Sequence, residues 1–312
     1  MLDRYRAILE GEVKPYYIQA KEYSNDKRYS RLDEEQLWGE IDEFRRENKI
    51  PPLDLKIELA KEMFKRCELC ERGCGVNREK GEKGYCNVGE PKISSEFLHM
   101  GEERELVPSH TVFFAGCNFR CVFCQNYEIS QLNRGRKIPP EILAKKIESS
   151  GGKNVNWVGG DPTPNLSYIL KVLQKMETPI PQIWNSNMYL SERCMKLLSQ
   201  LIDVYLTDFK YGNDDCAKKL SDVEDYTFVL RRNHLISEKT GDLIIRHLVL
   251  PGHLECCTKP ILEWIDSNLD DPKVNIMTQY RPVWHASKYP EINRYLNSEE
   301  KIKIRKLREK YA

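Results

Sequence analysis

The stretch Gly116-Cys117-Asn118-Phe119-Arg120-Cys121-Val122-Phe123-Cys124-Gln125-Asn126 holds three cysteines, with three and then two residues between them. A loop of that spacing can place three thiolates on three corners of one metal cluster. Soft thiolates suit iron–sulfur clusters or zinc. A fourth cysteine is missing from the stretch, so one coordination position stays open, which is the arrangement of metal sites that do chemistry. A zinc site completed by a distant ligand would have the same spacing, so the spacing alone leaves both readings open.

The surrounding pattern places this loop after a strand. Residues 111–115, 155–158, 180–185, 204–209, 243–250 and 274–279 are short apolar runs that read as strands. Between them, 139–149, 166–176, 191–200, two segments within 214–236, and 261–269 read as helices, with a last helix over 298–310. Alternating strands and helices imply a parallel sheet covered by helices, and right-handed crossovers curl such a sheet toward a barrel. The expected fold class is therefore α/β, a partial (β/α)6 TIM-like barrel over residues 110–312. Ahead of it, 1–66 reads as an N-terminal helical arm. Residues 1–31 show no clear period. Leu37, Ile41 and Phe44 lie at helical spacing before Pro51-Pro52, and Asp54 is a candidate cap for a helix reaching about Arg66. Residues 67–109 read as a cysteine-rich module followed by two β-like runs at 91–98 and 102–108.

Placed after a strand of such a barrel, the CxxxCxxC segment resembles the signature of the radical S-adenosylmethionine (SAM) superfamily. The resemblance implies that Cys117, Cys121 and Cys124 bind a [4Fe-4S] cluster whose open iron takes SAM. It also implies that reductive cleavage of SAM gives a 5′-deoxyadenosyl radical that abstracts a substrate hydrogen. Phe123 falls where the family places an aromatic residue near the adenine. Val158-Gly159-Gly160-Asp161-Pro162 resembles the GGEP element, in which glycines let the backbone approach the SAM amino group, with Asp161 replacing the usual glutamate. Trp184-Asn185-Ser186-Asn187 resembles the strand end that meets the SAM carboxylate and ribose. Asp208-Phe209-Lys210 is similar to the Asp-x-Lys element of the glycyl-radical activating enzymes. Arg246 lies in a segment resembling their fifth strand, where it could pair with the methionyl carboxylate or with an acid in the barrel wall. Gln279 and His285 are weaker candidates for contact, His285 reading first as a structural histidine. All these elements sit at strand C-termini, the ligand-binding face of parallel barrels.

A second group, Cys67, Cys70, Cys74 and Cys86, is a complete tetrathiolate set among several glycines. Four ligands suit a second iron–sulfur cluster or structural zinc rather than an open catalytic iron. The module resembles the one preceding the core in uncharacterised iron–sulfur proteins similar to the pyruvate formate-lyase activating enzyme. In many glycyl-radical activators the extra clusters follow the triad, whereas here no cysteine lies between Cys124 and Cys194. Cys194, Cys216, Cys256 and Cys257 read as ordinary helix or loop thiols.

Lys+Arg is 49 against Asp+Glu 48, for a formal net charge of +1, which gives no bulk attraction to nucleic acid or membrane. No apolar run reaches the ~18 residues of a membrane span, and the charged start Met1-Leu-Asp-Arg-Tyr-Arg has no secretory pattern. With 11 cysteines, clustered as ligands, a reducing, cytoplasmic setting is expected. The resemblance implies an electron donor such as flavodoxin or ferredoxin and a protein or peptide substrate. A small molecule or lipid is the rival substrate class. A zinc-binding adaptor without catalysis is the rival of another kind.

Overall fold

The computed structural model describes residues 2–23, 29–270 and 272–311. Four helices open the chain: α1 (Asp3–Leu9), α2 (Tyr16–Glu22), α3 (Glu34–Arg46) and α4 (Leu53–Lys65). The first two lie in the segment that carries no period, because each is only two turns long and buries two residues. Helix α3 starts in a capping box formed by Asp33 and Gln36. Asp54 is not a cap: α4 begins at Leu53 behind Pro52, which fixes the entering backbone, and Asp54 lies in its first turn, where a carboxylate favours the helix dipole.

Seven strands follow the cysteine-rich module, in the sheet order β1 to β7. They are β1 (Ile93–His99), β2 (Ser109–Phe114), β3 (Asn154–Gly159), β4 (Gln182–Ser186), β5 (Val204–Asp208), β6 (Asp242–Leu248) and β7 (Lys273–Met277). β1 is an antiparallel edge strand on β2. β2 to β7 pair in parallel, in register from Phe114↔Gly159 to Leu248↔Met277. Between them run α5 (Tyr127–Ser130), α6 (Pro140–Glu148), α7 (Leu166–Lys175), α8 (Glu192–Leu198), α9 (Asp214–Ser221), α10 (Tyr226–Thr240) and α11 (Lys259–Asn268), with α12 (Ser298–Tyr311) last. Phe113, Val158, Asn185, Asp208, Arg246 and Met277, one from each parallel strand, line a single cavity, so the open sheet curls around it.

The expected strand over 102–108 is absent. That run is a loop from β1 to β2, and it turns Glu102 and Glu103 inward to the Arg246 guanidinium. Pairing a buried cation outweighs the ladder that an edge strand would gain. Glu103 also accepts from Asn275 Nδ2 on β7 at 3.0 Å, so the loop bridges the two ends of the open sheet.

The floor of the curl is filled by the N-terminal arm. Leu2 and Tyr5 pack on Leu106, Ile183, Val204, Leu206 and Ile244, all buried. Tyr5 Oη accepts from Asn154 Nδ2 at 2.8 Å, and its N–H donates to Asp242 at 2.7 Å. Asp203, fully buried, accepts from Arg4 Nε at 3.1 Å, Tyr16 N at 3.0 Å and Gln182 N at 2.9 Å. It thus ties both short helices to the sheet. Burial raises its carboxyl to about 6, against the pull of Arg4. The folded state therefore holds a proton more tightly than the unfolded chain, and the associated stability fades as pH rises from about 4 through 6. Asp203→Asn is expected to lose about 2–3 kcal/mol at neutral pH. Its deficit relative to the wild type should grow as pH is lowered from 6 toward 4. Urea midpoints of both proteins across that range check this, and a pH-independent difference would contradict it.

Candidate active site

The cavity encloses about 490 Å³ at the C-terminal ends of the strands, and Cys117, Cys121 and Cys124 all face it. The loop that carries them is fastened on both sides. Arg120 N–H and Val122 N–H donate to Ser221 O and Leu220 O at the end of α9. Cys121 Sγ accepts from Ser221 Oγ at 2.8 Å, and Cys124 Sγ lies 3.0 Å from Ser130 Oγ on α5. Cys117 Sγ receives Phe119 N–H at 3.4 Å and is approached by Asn187 Nδ2 at 3.7 Å. Burial pushes the Cys121 thiol up to about 11; burial, then the charge of Asp161, pushes Cys117 well above its ordinary value. Neutral thiols are what a dry wall favours, and a bound cation reverses that preference. Three soft donors on one cavity, without a fourth cysteine among its described lining, fit an iron–sulfur cluster with one open iron.

Phe123, Gly159, Gly160, Asn185, Asn187, Asp208, Lys210, Arg246 and Gln279 line the same cavity. The glycines answer first to the backbone. A Cβ on Gly160 would lie 2.1 Å from Gly116 O, and one on Gly159, whose φ is +127°, would lie 2.1 Å from Phe114 N. They are needed for β3 to end against β2 and the cysteine loop. Asp161 and Pro162 do not line the cavity. The buried Asp161 carboxylate accepts from Thr163 N at 3.0 Å, Ser186 Oγ at 2.9 Å and Asn187 N at 3.0 Å. It holds the β4 end so that Asn187 reaches Asn118 Oδ1, donating at 2.6 Å. Lys210 Nζ is 2.5 Å from Asp208 Oδ2, and its N–H donates to Tyr226 Oη at 2.7 Å. Burial alone would lower the Lys210 ammonium, but Asp208 and then Cys121 outweigh it and leave the pKa raised. The lysine stays charged beside the cysteines. Arg246 is committed to the wall: Nε donates to Glu103 Oε1 at 2.8 Å, Nη2 lies 2.5 Å from Oε2, and Glu102 completes the pair. His285 lies outside the lining, its ring tilted against that of Trp284 at 4.2 Å, with its backbone N–H donating to Val122 O.

The second cysteine group lies against the first. Cys67, Cys70, Cys74 and Cys86 surround one small cavity with Arg78, whose Nε is 2.8 Å from Cys67 Sγ and whose Nη2 is 3.0 Å from Cys86 Sγ. Tyr85 is held between the guanidinium groups of Arg72 (3.8 Å) and Arg120 (4.3 Å), and Arg72 Nε donates to Asn118 O. The module is thereby locked onto the catalytic loop. Cys194 is a buried thiol of α8, as an ordinary helix cysteine would be. Cys216, Cys256 and Cys257, expected to be ordinary thiols without ligand-like companions, come together in space. Cys216 Sγ lies 4.0 Å from Cys256 Sγ, which lies 3.9 Å from Cys257 Sγ, with His253 beside them. Forty residues separate the partners, and a Cys-Cys pair three residues after a histidine was the one local sign. Glu102 and Glu103 were missed because the run around them reads as a strand.

Residues 111–265 match the family model described as Radical SAM superfamily. The chain is 53% identical over 268 residues to the uncharacterized protein MJ0674 of Methanocaldococcus jannaschii, covering 83% of this chain and 79% of that protein. It is 23% identical over 150 residues to pyruvate formate-lyase 1-activating enzyme of Escherichia coli K12, covering 45% of this chain and 60% of that one. A crystal structure of Streptococcus suis SuiB bound to S-adenosylmethionine superposes with a TM-score of 0.45 at 17% identity, over 62% of this chain and 44% of SuiB. This chain belongs to the radical SAM superfamily, whose members are enzymes using a [4Fe-4S] cluster and SAM and drawing on an electron donor. None of its helices, among the described residues, is long and apolar enough to cross a membrane.

Proposed function

We propose that the chain is a radical SAM enzyme acting on a protein or peptide, in the manner of an activating enzyme. The observation that carries the proposal is the convergence of Cys117, Cys121, Cys124, Asp208 and Lys210 on one cavity. When bound, the cluster and SAM would supply reductive cleavage of SAM, using one electron from the external donor, and through it abstraction of a hydrogen atom from the substrate. The chain's own residues bind and orient. Cys117, Cys121 and Cys124 hold the cluster. Asn185 and Asn187 offer amides, and Asp208 and Lys210 opposite charges, for the zwitterionic methionyl end and ribose of SAM. Phe123, which packs edge-on against Tyr280 at 5.9 Å, offers a face to adenine. Gly159 and Gly160 let the β3 end lie close, and Asp161 with Pro162 positions that turn. Arg246, engaged with Glu102 and Glu103, shapes the wall. Phe97, Leu98 and Met100 stand exposed on the edge strand and loop that lead to the cavity-lining His99, Gly101 and Glu102. Apolar groups at that rim favour a polypeptide over a small polar metabolite. A flavodoxin or ferredoxin is the proposed donor.

The four thiols of the N-terminal module are proposed to hold a second iron–sulfur cluster. Among the described residues, no three of those sulfurs lie within 4.8 Å of one another, a wider spread than the ~3.8 Å edge of a zinc tetrahedron with ~2.3 Å bonds.

The reduced enzyme, given SAM and perdeuterated cell extract split by size, is expected to form 5′-deoxyadenosine labelled by the macromolecular fraction. Label arriving from the small-molecule fraction instead would overturn the substrate class. Asp208→Asn should weaken SAM binding about ten- to a hundredfold, the value of a charged hydrogen bond of ~1.5–3 kcal/mol, with iron content unchanged. Equilibrium dialysis of SAM against the reconstituted variant measures this.

A further inference from the structure

We propose that Cys216, His253 and Cys256 form a zinc site on the rim of the sheet, separate from both cysteine groups already described and with Cys257 beside it. Among the described residues, Cys216, His253 and Cys256 are the trio of histidine, cysteine or carboxylate donors whose ligand atoms all lie within 4.8 Å of one another. The Cys216–Cys256 sulfur separation, 4.0 Å, matches the ~3.8 Å edge of a tetrahedron with zinc–sulfur bonds of ~2.3 Å. Thiolates spread over the irons of a cubane stand farther apart, so the spacing selects a single ion.

Two loops from neighbouring strands build the site. Cys216 comes from α9, which follows β5, and Asn213 Oδ1 caps that helix by accepting Cys216 N–H at 2.8 Å. His253, Cys256 and Cys257 come from the segment after β6, where Leu254–Thr258 forms a single π turn. Such turns insert an extra residue and concentrate at functional places. Here the wide turn lets two adjacent cysteines face one neighbour. The loops are clamped together by Asn213 Nδ2, which donates to Cys256 O at 2.8 Å. Gly212 makes the approach possible: a Cβ there would lie 2.8 Å from Cys256 O and 2.8 Å from Cys257 Cα.

The histidine is set as a ligand would be. Its Nδ1 lies 2.8 Å from Pro251 O, a carbonyl that can only accept a hydrogen bond, which favours the tautomer with the proton on Nδ1 and the Nε2 lone pair free for a metal. His253 and Cys257 are buried, Cys216 is half-buried and Cys256 is exposed, so an ion can enter from solvent and be enclosed. Binding Zn²⁺ forms two Zn–S bonds and one Zn–N bond, leaves the fourth position to water, and releases one proton from each of the two ligating thiols to solvent. No oxidant or reductant is involved. The site borders the catalytic loop: Tyr211, next to Gly212, has its Oη 2.5 Å from Ser221 Oγ, and that hydroxyl donates to Cys121. Zinc there fixes the two loops that hold this support in place.

The test is metal counting on the anaerobically reconstituted enzyme given Zn²⁺ and passed over a weak chelator. The wild type is expected to keep zinc that the Cys216→Ser/Cys256→Ser variant has lost entirely, a change of one equivalent per chain, with iron and sulfide equal. His253→Gln should weaken retention without removing it. Cobalt titration should give a sulfur-to-cobalt charge-transfer band in the wild type that is missing from the double variant. Both substituted cysteines have solvent contact, and equal iron content reports that the variant has folded. Equal zinc in the two proteins overturns the proposal. So does zinc that leaves with Cys67→Ser/Cys70→Ser instead, or a Cys216–Cys256 disulfide in anaerobically isolated chain. None of these outcomes bears on SAM cleavage, so the site and the proposed activity stand or fall separately.

Discussion

Replacing Cys121 with alanine is expected to abolish 5′-deoxyadenosine formation and to remove the iron held at the triad. Cys121 is the middle of the three proposed ligands, and its sulfur sits at the point where the cysteine loop meets α9 through Ser221. Burial pushes its thiol up to about 11, so in the metal-free chain this sulfur carries its proton at neutral pH. Metal binding must draw that proton away, which makes cluster assembly faster at higher pH. Two thiols cannot replace three around a cubane, and the neighbouring buried side chain, Tyr211, is a weak ligand. Ser221→Ala removes one hydrogen bond to the sulfur, worth about 1 kcal/mol, and should slow assembly while leaving product formation measurable. The iron count and the 5′-deoxyadenosine yield, measured on the same samples, check both statements. Undiminished product from the alanine variant would refute the assignment of the triad.

Arg246→Met should be the most destabilising single substitution in the curl of the sheet, by about 3–5 kcal/mol, because it strands two buried carboxylates. Glu103 is 3% exposed and Glu102 5% at the side chain, so neither carboxylate is well solvated without the guanidinium. A domain holds only ~5–15 kcal/mol in total, so much of the margin goes. Replacing both acids as well, in Arg246→Met/Glu102→Gln/Glu103→Gln, should recover most of the loss, since a neutral set needs no counter-charge. The sign with pH follows from Glu103. Burial opposes its ionisation, but Arg246 and Asn275 outweigh burial and depress its pKa below the ordinary 4.5. The wild type therefore holds this stability above about pH 4.5 and loses it as pH falls through the depressed value. Without Arg246, burial is opposed only by the weaker Asn275 and backbone hydrogen bonds, and the pKa rises. The gap between the two proteins should narrow toward acid pH. Urea unfolding at pH 7 and pH 4.5 measures this; a gap that widens would refute the account.

The parallel core was legible because its signals are local. Each strand is a short apolar run, each crossover a helix with its own period, and the triad announces itself within eight residues. What escaped depends on distance along the chain. Asp203 meets Arg4 across 199 positions, and Glu103 meets Arg246 across 143. Nothing near Glu102 or Glu103 in sequence says that a guanidinium waits inside. The two helices at the start were invisible for another reason: their helicity comes from packing beneath the sheet rather than from a period of their own. Asp161 shows a third kind of difficulty. A resemblance assigns it to the ligand, whereas its hydrogen bonds show a carboxylate that sets the geometry of its neighbours.

The filled floor of the curl has a consequence for traffic. With Leu2, Tyr5 and Leu106 packed beneath and the Glu102–Glu103 loop across the open side, the strand C-terminal end is the doorway. SAM, the hydrogen donor, methionine and 5′-deoxyadenosine must share it. Whatever arrives second shuts the exit for what arrived first. For the proposed polypeptide substrate, that would impose an order: SAM seats before the polypeptide docks, and its fragments leave only once the polypeptide has gone.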